Sequence, residues 1–124
     1  MENRFSLDKP VAFAMAMFHL GAIVALFFPT WFHFGLFVAV WFFCGTSITL
    51  CYHRLLTHRG YKTFVWFEYL MVWVANILLQ GDPIKWVSKH RMHHAYTEEK
   101  GKDPHTPRDG GWWAHMDWIL HPDP

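Results

Sequence analysis

The sequence predicts an all-α membrane protein, in which a transmembrane helical hairpin is followed by cytosolic or interfacial helices that carry clustered histidines. Of its 124 residues, 52% are hydrophobic and 19% aromatic, whereas only 17% are charged. The apolar residues form long runs, which is typical of chains that contact lipid. Two short segments beyond these runs hold five histidines. The formal net charge of +1 leaves no basic field that would favour nucleic acid.

The hairpin is expected at residues 11–52, after a polar cytosolic tail formed by residues 1–10. Its first helix is expected at Val11–Phe28 and its second at Trp31–Cys51. Both runs reach the length needed to cross a hydrocarbon core of about 30 Å. Lysines and arginines lie only in the tail or from Arg54 onward. The positive-inside rule therefore places both ends of the hairpin in the cytosol and predicts an integral, multi-pass membrane protein.

Residues 53–124 are expected to form a cytosolic or interfacial cap, which begins with the first histidine box, His53 to His58. The two histidines of this box are five positions apart, which places them about 140° apart on a straight α-helix. Either the helix ends or loosens between them, or His58 reaches back from the following turn. In each case the box lies at the cytosolic mouth of the second helix.

The segment from Phe64 to Leu79 is apolar, but as a helix it would be only about 24 Å long, which is short for a membrane span. A crossing here would also put the two groups of histidines on opposite sides of the membrane. We therefore expect an interfacial or bundle-packed helix. Pro83 can start a further helix, which carries the second histidine box, His90 to His94.

The second histidine box places three imidazoles on one helix face, because His90, His93 and His94 are at positions i, i+3 and i+4. Protonated rings this close would repel one another, so the spacing favours neutral rings around a shared transition metal. Five histidines exceed the needs of one tetrahedral zinc site, and neither box contains thiolates or an HExxH motif. One or two octahedral irons fit the ligand supply better. The alternative is an exposed basic helix turn that is rich in histidine.

The remaining chain adds a polar loop and a lone histidine. Residues 97–111 form a loop punctuated by Gly and Pro, and residues 112–120 are expected to begin another amphipathic helix. His19 lies within the first apolar run, where it is either a haem ligand or simply hydrogen-bonded inside a helix bundle.

Four segments along the chain carry a family resemblance: HRLLTH at His53–His58, WVSKHRMHH at Trp86–His94, DPH at Asp103–His105 and WWAHMDWIL at Trp112–Leu120. Together and in this order they resemble the membrane fatty-acid desaturases of the acyl-CoA and acyl-lipid Δ9 type. The resemblance implies a bundle of four transmembrane helices with a cytosolic cap, in which three histidine boxes hold two irons. It implies that the irons activate O₂ and introduce a cis double bond into a saturated acyl chain.

The resemblance also implies roles for single residues. It implies that five histidines are iron ligands, namely His53, His58, His90, His93 and His94. It implies no other catalytic residue. It places Gln80, Trp86 and Trp118 along the acyl tunnel. Asp103 and His105 match a family segment near the metal, where we expect either hydrogen bonding to the metal ligands or an ordinary loop turn.

The third histidine box of the family is absent from the chain. We therefore expect the amino-terminal part of a longer enzyme or a truncated product, and we expect the isolated chain to be inactive. No flavin, haem or iron–sulfur motif is visible, which implies an external electron carrier such as a ferredoxin or cytochrome b5. Two other readings stay open, namely a membrane diiron hydroxylase built on the same boxes and a non-catalytic membrane metal-binding protein.

Overall fold

The structure, a computed structural model, describes residues 6–122, and the regular elements of this part of the chain are all helical, with no β-strand. Residues 1–5 of the predicted tail and residues 123–124 of the predicted cap lie outside the described range. In chain order the elements are α1 (Lys9–Ala25), α2 (Trp31–Ser47), a π-helix (Ile48–Thr57), α3 (Val65–Asn76), α4 (Pro83–Ala95), a 3₁₀-helix (Pro107–Asp109), α5 (Gly111–His115) and a second 3₁₀-helix (Asp117–Leu120).

The chain forms two compact units. One unit comprises residues 30–91. The other combines the residues up to Pro29 with those from Met92 onward.

Helix α1 begins where Asp8 caps it and ends before a proline. The Asp8 carboxylate accepts a hydrogen bond from the backbone N–H of Val11 at 3.1 Å, which satisfies one of the unpaired groups at the start of the helix. The helix ends at Ala25, three residues earlier than predicted. The next three N–H groups bond to carbonyls three positions back, and Pro29 cannot continue a helix.

Helix α2 and the π-helix form one continuous helix, Trp31–Thr57. Among the described helices it alone is long and apolar enough to cross a membrane, with 27 residues and a mean hydropathy of 1.9 in its apolar window, of which 17% is buried. Helix α1 is apolar but has only 17 residues. The structure therefore confirms an all-α fold with one candidate membrane helix, whereas the two-helix hairpin stays a prediction.

The π-helix determines how the first histidine box is arranged. Its backbone bonds connect residues five positions apart, as when the N–H of His58 donates to the carbonyl of His53 at 3.1 Å. The Thr57 hydroxyl follows the same spacing and donates to the carbonyl of Tyr52 at 2.7 Å. The second predicted span thus continues through the box in a loosened form, which is one of the arrangements that the histidine spacing left open.

The core of the 30–91 unit forms where the π-helix packs against α3. Cys51, Tyr52 and Leu55 of the π-helix are buried together with Met71 and Ala75 of α3. Other α3 residues expose large apolar side chains. Helix α3 therefore contacts protein through a narrow stripe and leaves much of its apolar surface for another environment.

In the other unit, the segment predicted as one amphipathic helix is broken. Helix α5 ends at His115, and a 3₁₀-helix begins at Asp117. The carbonyl of Leu120, at the end of this segment, accepts a hydrogen bond from the backbone N–H of Asp8 at 2.8 Å. This contact joins residues that are distant in the sequence, so local periodicity does not report it.

Candidate metal centre

Three histidines of the 30–91 unit converge on one small volume. His53 belongs to the π-helix, His58 follows its last residue and His90 lies on α4. Each ring offers one nitrogen, and these nitrogens all lie within 4.8 Å of one another. The ring centroid of His53 is 4.7 Å from that of His58 and 4.8 Å from that of His90. Neutral imidazoles arranged in this way can hold a transition-metal ion.

The loosened helix is what brings His53 and His58 together. On a straight α-helix the two side chains would diverge by about 140°. Where backbone bonds connect residues five positions apart, the same two positions lie one turn from each other. Their rings therefore meet edge to face, with an angle of 80° between the planes.

Arg91 holds helix α4 against the end of the first histidine box. Its Nη2 donates to the carbonyl oxygens of Leu56 at 2.9 Å and Thr57 at 3.2 Å, and its Nε donates to that of Thr57 at 3.3 Å. A cation is favourable at the carbonyl end of a helix. From the sequence, Arg91 was only a charge close to the histidines. Its partners lie 34 and 35 positions away, so the local pattern could not show this role.

Trp86 connects His90 with the core of the unit. Its ring centroid lies 4.8 Å from that of His90 and 5.7 Å from that of Tyr52. Its indole N–H donates to the side-chain oxygen of Gln80 at 3.1 Å. The structure thus brings together Gln80 and Trp86, two of the three residues expected along the acyl tunnel. Sequence reasoning did not single out Tyr52, which is fully buried here.

In the other unit, the carboxylate of Asp103 holds the ring of His93. Nδ1 of His93 lies 3.0 Å from each carboxylate oxygen. With Nδ1–H donating to Asp103, Nε2 becomes the nitrogen that can bind a metal, an arrangement common among metal-bound histidines. The backbone N–H groups of Glu98 and His105 also donate to this carboxylate, at 2.9 Å and 3.1 Å.

These hydrogen bonds keep Asp103 ionised. Burial by itself would raise the pKa of its carboxyl, because a charge is disfavoured away from water. The hydrogen bonds from His93 and from the two backbone N–H groups outweigh that effect, and the pKa of Asp103 lies below its ordinary value. The carboxylate bonds to a candidate metal ligand, and its bond to His105, two positions on, forms a loop turn.

His105 and Trp118 extend this cluster. His105 stacks on His93 with the ring centroids 4.4 Å apart and 28° between the planes, and Trp118 lies 5.1 Å from His105. Ligand atoms of His93, Asp103 and His105 lie within 4.8 Å of one another. Two nearly parallel imidazoles are poorly placed to share one ion, because their lone pairs lie in the ring planes. The geometry therefore favours His93 as the ligand and the other two residues as its support.

Two further histidines have clear positions. His94 lies one helical turn beyond His90 on α4, and therefore on the same side of that helix. His19 is satisfied within its own helix, since its Nδ1 lies 2.7 Å from the carbonyl oxygen of Met15. His19 is exposed, so this bond lies within α1 itself, and the two roles considered for this histidine stay predictions.

Known desaturases are similar to this chain. It is 41% identical to the sn-2 palmitoyl-lipid 9-desaturase of Nostoc sp. over 87% of its length, and 45% identical to Delta-9 acyl-lipid desaturase 2 of Arabidopsis thaliana over 82%. It is 39% identical to the icosanoyl-CoA 5-desaturase of Limnanthes douglasii over 94%. The chain spans only 38%, 33% and 33% of the lengths of these curated relatives. No family model matches it.

These similarities confirm the resemblance that the histidine boxes indicate. The relatives are 39–45% identical to the chain over most of its length, and the matches are too extensive to rest on the boxes alone. Over most of its length, the chain is homologous to the membrane fatty-acid desaturases of the Δ9 acyl-lipid type.

Proposed function

We propose that the protein is an iron-dependent, integral-membrane fatty acyl desaturase, which uses O₂ to introduce a cis double bond into a saturated acyl chain. The observation that carries the proposal is the convergence of His53, His58 and His90, from segments far apart in the sequence, in a chain whose relatives are named desaturases. An exposed basic turn would not bring imidazoles from two helices together.

The donor set fits iron. The candidate ligands are imidazoles, which suit iron, and the two groups of possible ligands in the described part of the chain contain no thiolate. We propose His53, His58, His90, His93 and His94 as the ligands that this chain supplies. When bound, two irons would supply, with O₂, the oxidising power that an unactivated C–H bond requires.

The other side chains orient the ligands and exclude water. Asp103 accepts a hydrogen bond from Nδ1–H of His93 and thereby leaves Nε2 as the nitrogen that can bind the metal. Trp86 covers His90 on one side with an apolar ring and packs against buried Tyr52 on another. No side chain is proposed as an acid or base toward the acyl chain. The C–H bonds of a saturated chain are not acidic, and the reacting carbons carry no leaving group.

The substrate is proposed to be a saturated acyl chain on a lipid or on CoA. The relatives are named for both kinds of carrier, palmitoyl-lipid in one case and icosanoyl-CoA in another. We propose that Gln80, Trp86 and Trp118 line the acyl tunnel. The hydrogen bond between Gln80 and Trp86 supports this role, because it fixes the indole next to a proposed iron ligand.

The electrons are proposed to come from a separate carrier, a ferredoxin or cytochrome b5. We further propose that α1 and the helix Trp31–Thr57 form a transmembrane hairpin, with both histidine boxes on the cytosolic side. The large apolar side chains exposed along both helices support this topology, as does the lack of Lys and Arg between residues 10 and 53.

The proposal is tested by producing the protein at its natural length in a host that lacks Δ9 desaturase activity. The products are analysed by gas chromatography of fatty acyl esters, together with the iron content of the purified protein. New monounsaturated chains and bound iron support the proposal. A hydroxylated product would show a hydroxylase, bound metal without a product would show a metal-binding protein, and absence of iron would refute the metal centre.

A further inference from the structure

The carbonyl groups at the end of the π-helix have two kinds of partner. A helix leaves its last carbonyls without partners from its own ladder. Here the chain that follows satisfies three of them, because the N–H groups of His58, Arg59 and Gly60 donate to residues 53, 55 and 54 at 3.1, 3.1 and 2.9 Å. The carbonyls of Leu56 and Thr57 receive their hydrogen bonds from the side chain of Arg91.

We infer that Arg91 is a positioning residue for the metal centre, which holds His90 at binding distance from His53 and His58 before a metal arrives. The inference rests on the metal centre proposed above. Arg91 directly follows His90, and its two carbonyl partners directly precede His58. One side chain therefore joins the backbones beside two proposed ligands.

The bonding pattern requires a guanidinium. Arg91 donates three hydrogen bonds, two from Nη2 and one from Nε. The acceptors are the carbonyl oxygens of two consecutive residues, Leu56 and Thr57. The planar guanidinium group can donate in this way with little loss of conformational entropy. A lysine ammonium group, in contrast, is a point charge at the end of a flexible side chain. Lysine at this position would keep the charge but would not fix the distance between the two segments.

Fixing the two segments in advance has a measurable consequence. Metal sites whose supporting hydrogen bonds are removed typically lose about 10-fold to 100-fold in affinity. Without Arg91, binding the ion would itself have to bring α4 and the end of the π-helix together. We therefore expect weaker binding and a less uniform set of ligand geometries, even when metal is in excess.

The test is a titration of the metal-free protein, at its natural length and in detergent, with Co²⁺ as the probe. Co²⁺ reports both affinity and, through its visible absorption bands, the number and geometry of its ligands. The variants are Arg91→Ala and Arg91→Lys, and the matched control is Arg54→Met, an exposed arginine next to His53.

We expect Arg91→Ala to weaken Co²⁺ binding by about 10-fold to 100-fold and to alter the absorption bands of the saturated protein. Arg91→Lys should show the same change to a smaller degree, and it carries the test if Arg91→Ala does not fold. Arg54→Met should match the wild type. If both Arg91 variants bind Co²⁺ with the affinity and absorption bands of the wild type, the inference about Arg91 is overturned and the proposed metal centre is not. If the wild type itself binds no Co²⁺, the proposed metal centre is overturned as well.

Discussion

Asp103 and His93 share a bifurcated hydrogen bond, in which Nδ1 of the imidazole lies 3.0 Å from both oxygens of a fully buried carboxylate. We expect Asp103→Asn to weaken metal binding about 10-fold to 100-fold, because the amide keeps the shape but loses the charge that makes Nε2 a better ligand. Metal titration of the purified variant measures this loss. Lys102→Gln, beside Asp103 but exposed, is the control, and equal affinities in the two variants would contradict the role of Asp103.

Removing a proposed ligand should have a larger effect than removing its support. We expect His53→Ala, His90→Ala or His93→Ala to abolish iron retention and formation of the unsaturated product. His115→Ala is the matched control, because His115 is exposed and lies outside both groups of possible ligands. Iron content and product analysis are measured on the same preparations. A ligand variant that keeps both its iron and its product would show that the assigned residue is not a ligand.

Trp86 should influence the substrate more than the metal. Trp86→Phe keeps an aromatic ring near His90 but loses the hydrogen bond to Gln80, so we expect normal iron content and a changed distribution of product chain lengths or bond positions. Trp86→Ala should lower activity roughly 10-fold or more, a cost of about 1.4 kcal/mol or above in the barrier. The control is Trp66→Phe, at an exposed position on α3. An unchanged product distribution in Trp86→Phe would argue against the tunnel assignment.

The small core between the π-helix and α3 should be sensitive to loss of volume. Met71 is 5% exposed, so Met71→Ala should lower the free energy of unfolding by about 2–5 kcal/mol. Leu70→Ala, next to it and 46% exposed, should cost far less. Denaturation of the metal-free protein in detergent measures both values. Similar costs for the two variants would mean that α3 does not pack as described.

The hairpin topology can be tested with single cysteines. In a background without Cys44 and Cys51, we expect Pro29→Cys and Lys100→Cys to react with a membrane-impermeant maleimide from opposite sides of the membrane. Both residues are exposed in the structure. Labelling after the membrane is permeabilised controls for reactivity, and labelling of both from the same side in intact cells would exclude the hairpin.

The sequence predicts those features that depend on local pattern. The start of α4 at Pro83 follows from its fixed backbone angle, and Asp82 adds a cap by accepting hydrogen bonds from the N–H groups of Ile84 and Lys85. The spacing of His90 and His94 places them on one side of that helix. The long apolar run predicts the helix that begins at Trp31.

Other features depend on contacts between distant residues or on rare backbone geometry. The spacing of His53 and His58 indicates that the two side chains cannot face the same way on a straight α-helix, but it does not distinguish a loosened helix from one that ends between them. The partners of Arg91 lie 34 and 35 positions away in another segment, so the local sequence pattern does not predict its hydrogen bonds. For Asp103 the motif indicated a position near the metal, and only the fold shows that its carboxylate reaches His93.

The continuity of Trp31–Thr57 has a mechanical consequence. If this helix spans the bilayer, its tilt depends on how well its apolar length matches the hydrocarbon thickness of the surrounding lipid. A change in tilt would then also move His53 and the residues just before His58, because the helix is continuous from Trp31 to Thr57. The thickness of a bilayer depends in turn on the saturation of its acyl chains. Acyl-chain saturation would then affect the position of the His53 and His58 side chains relative to the membrane.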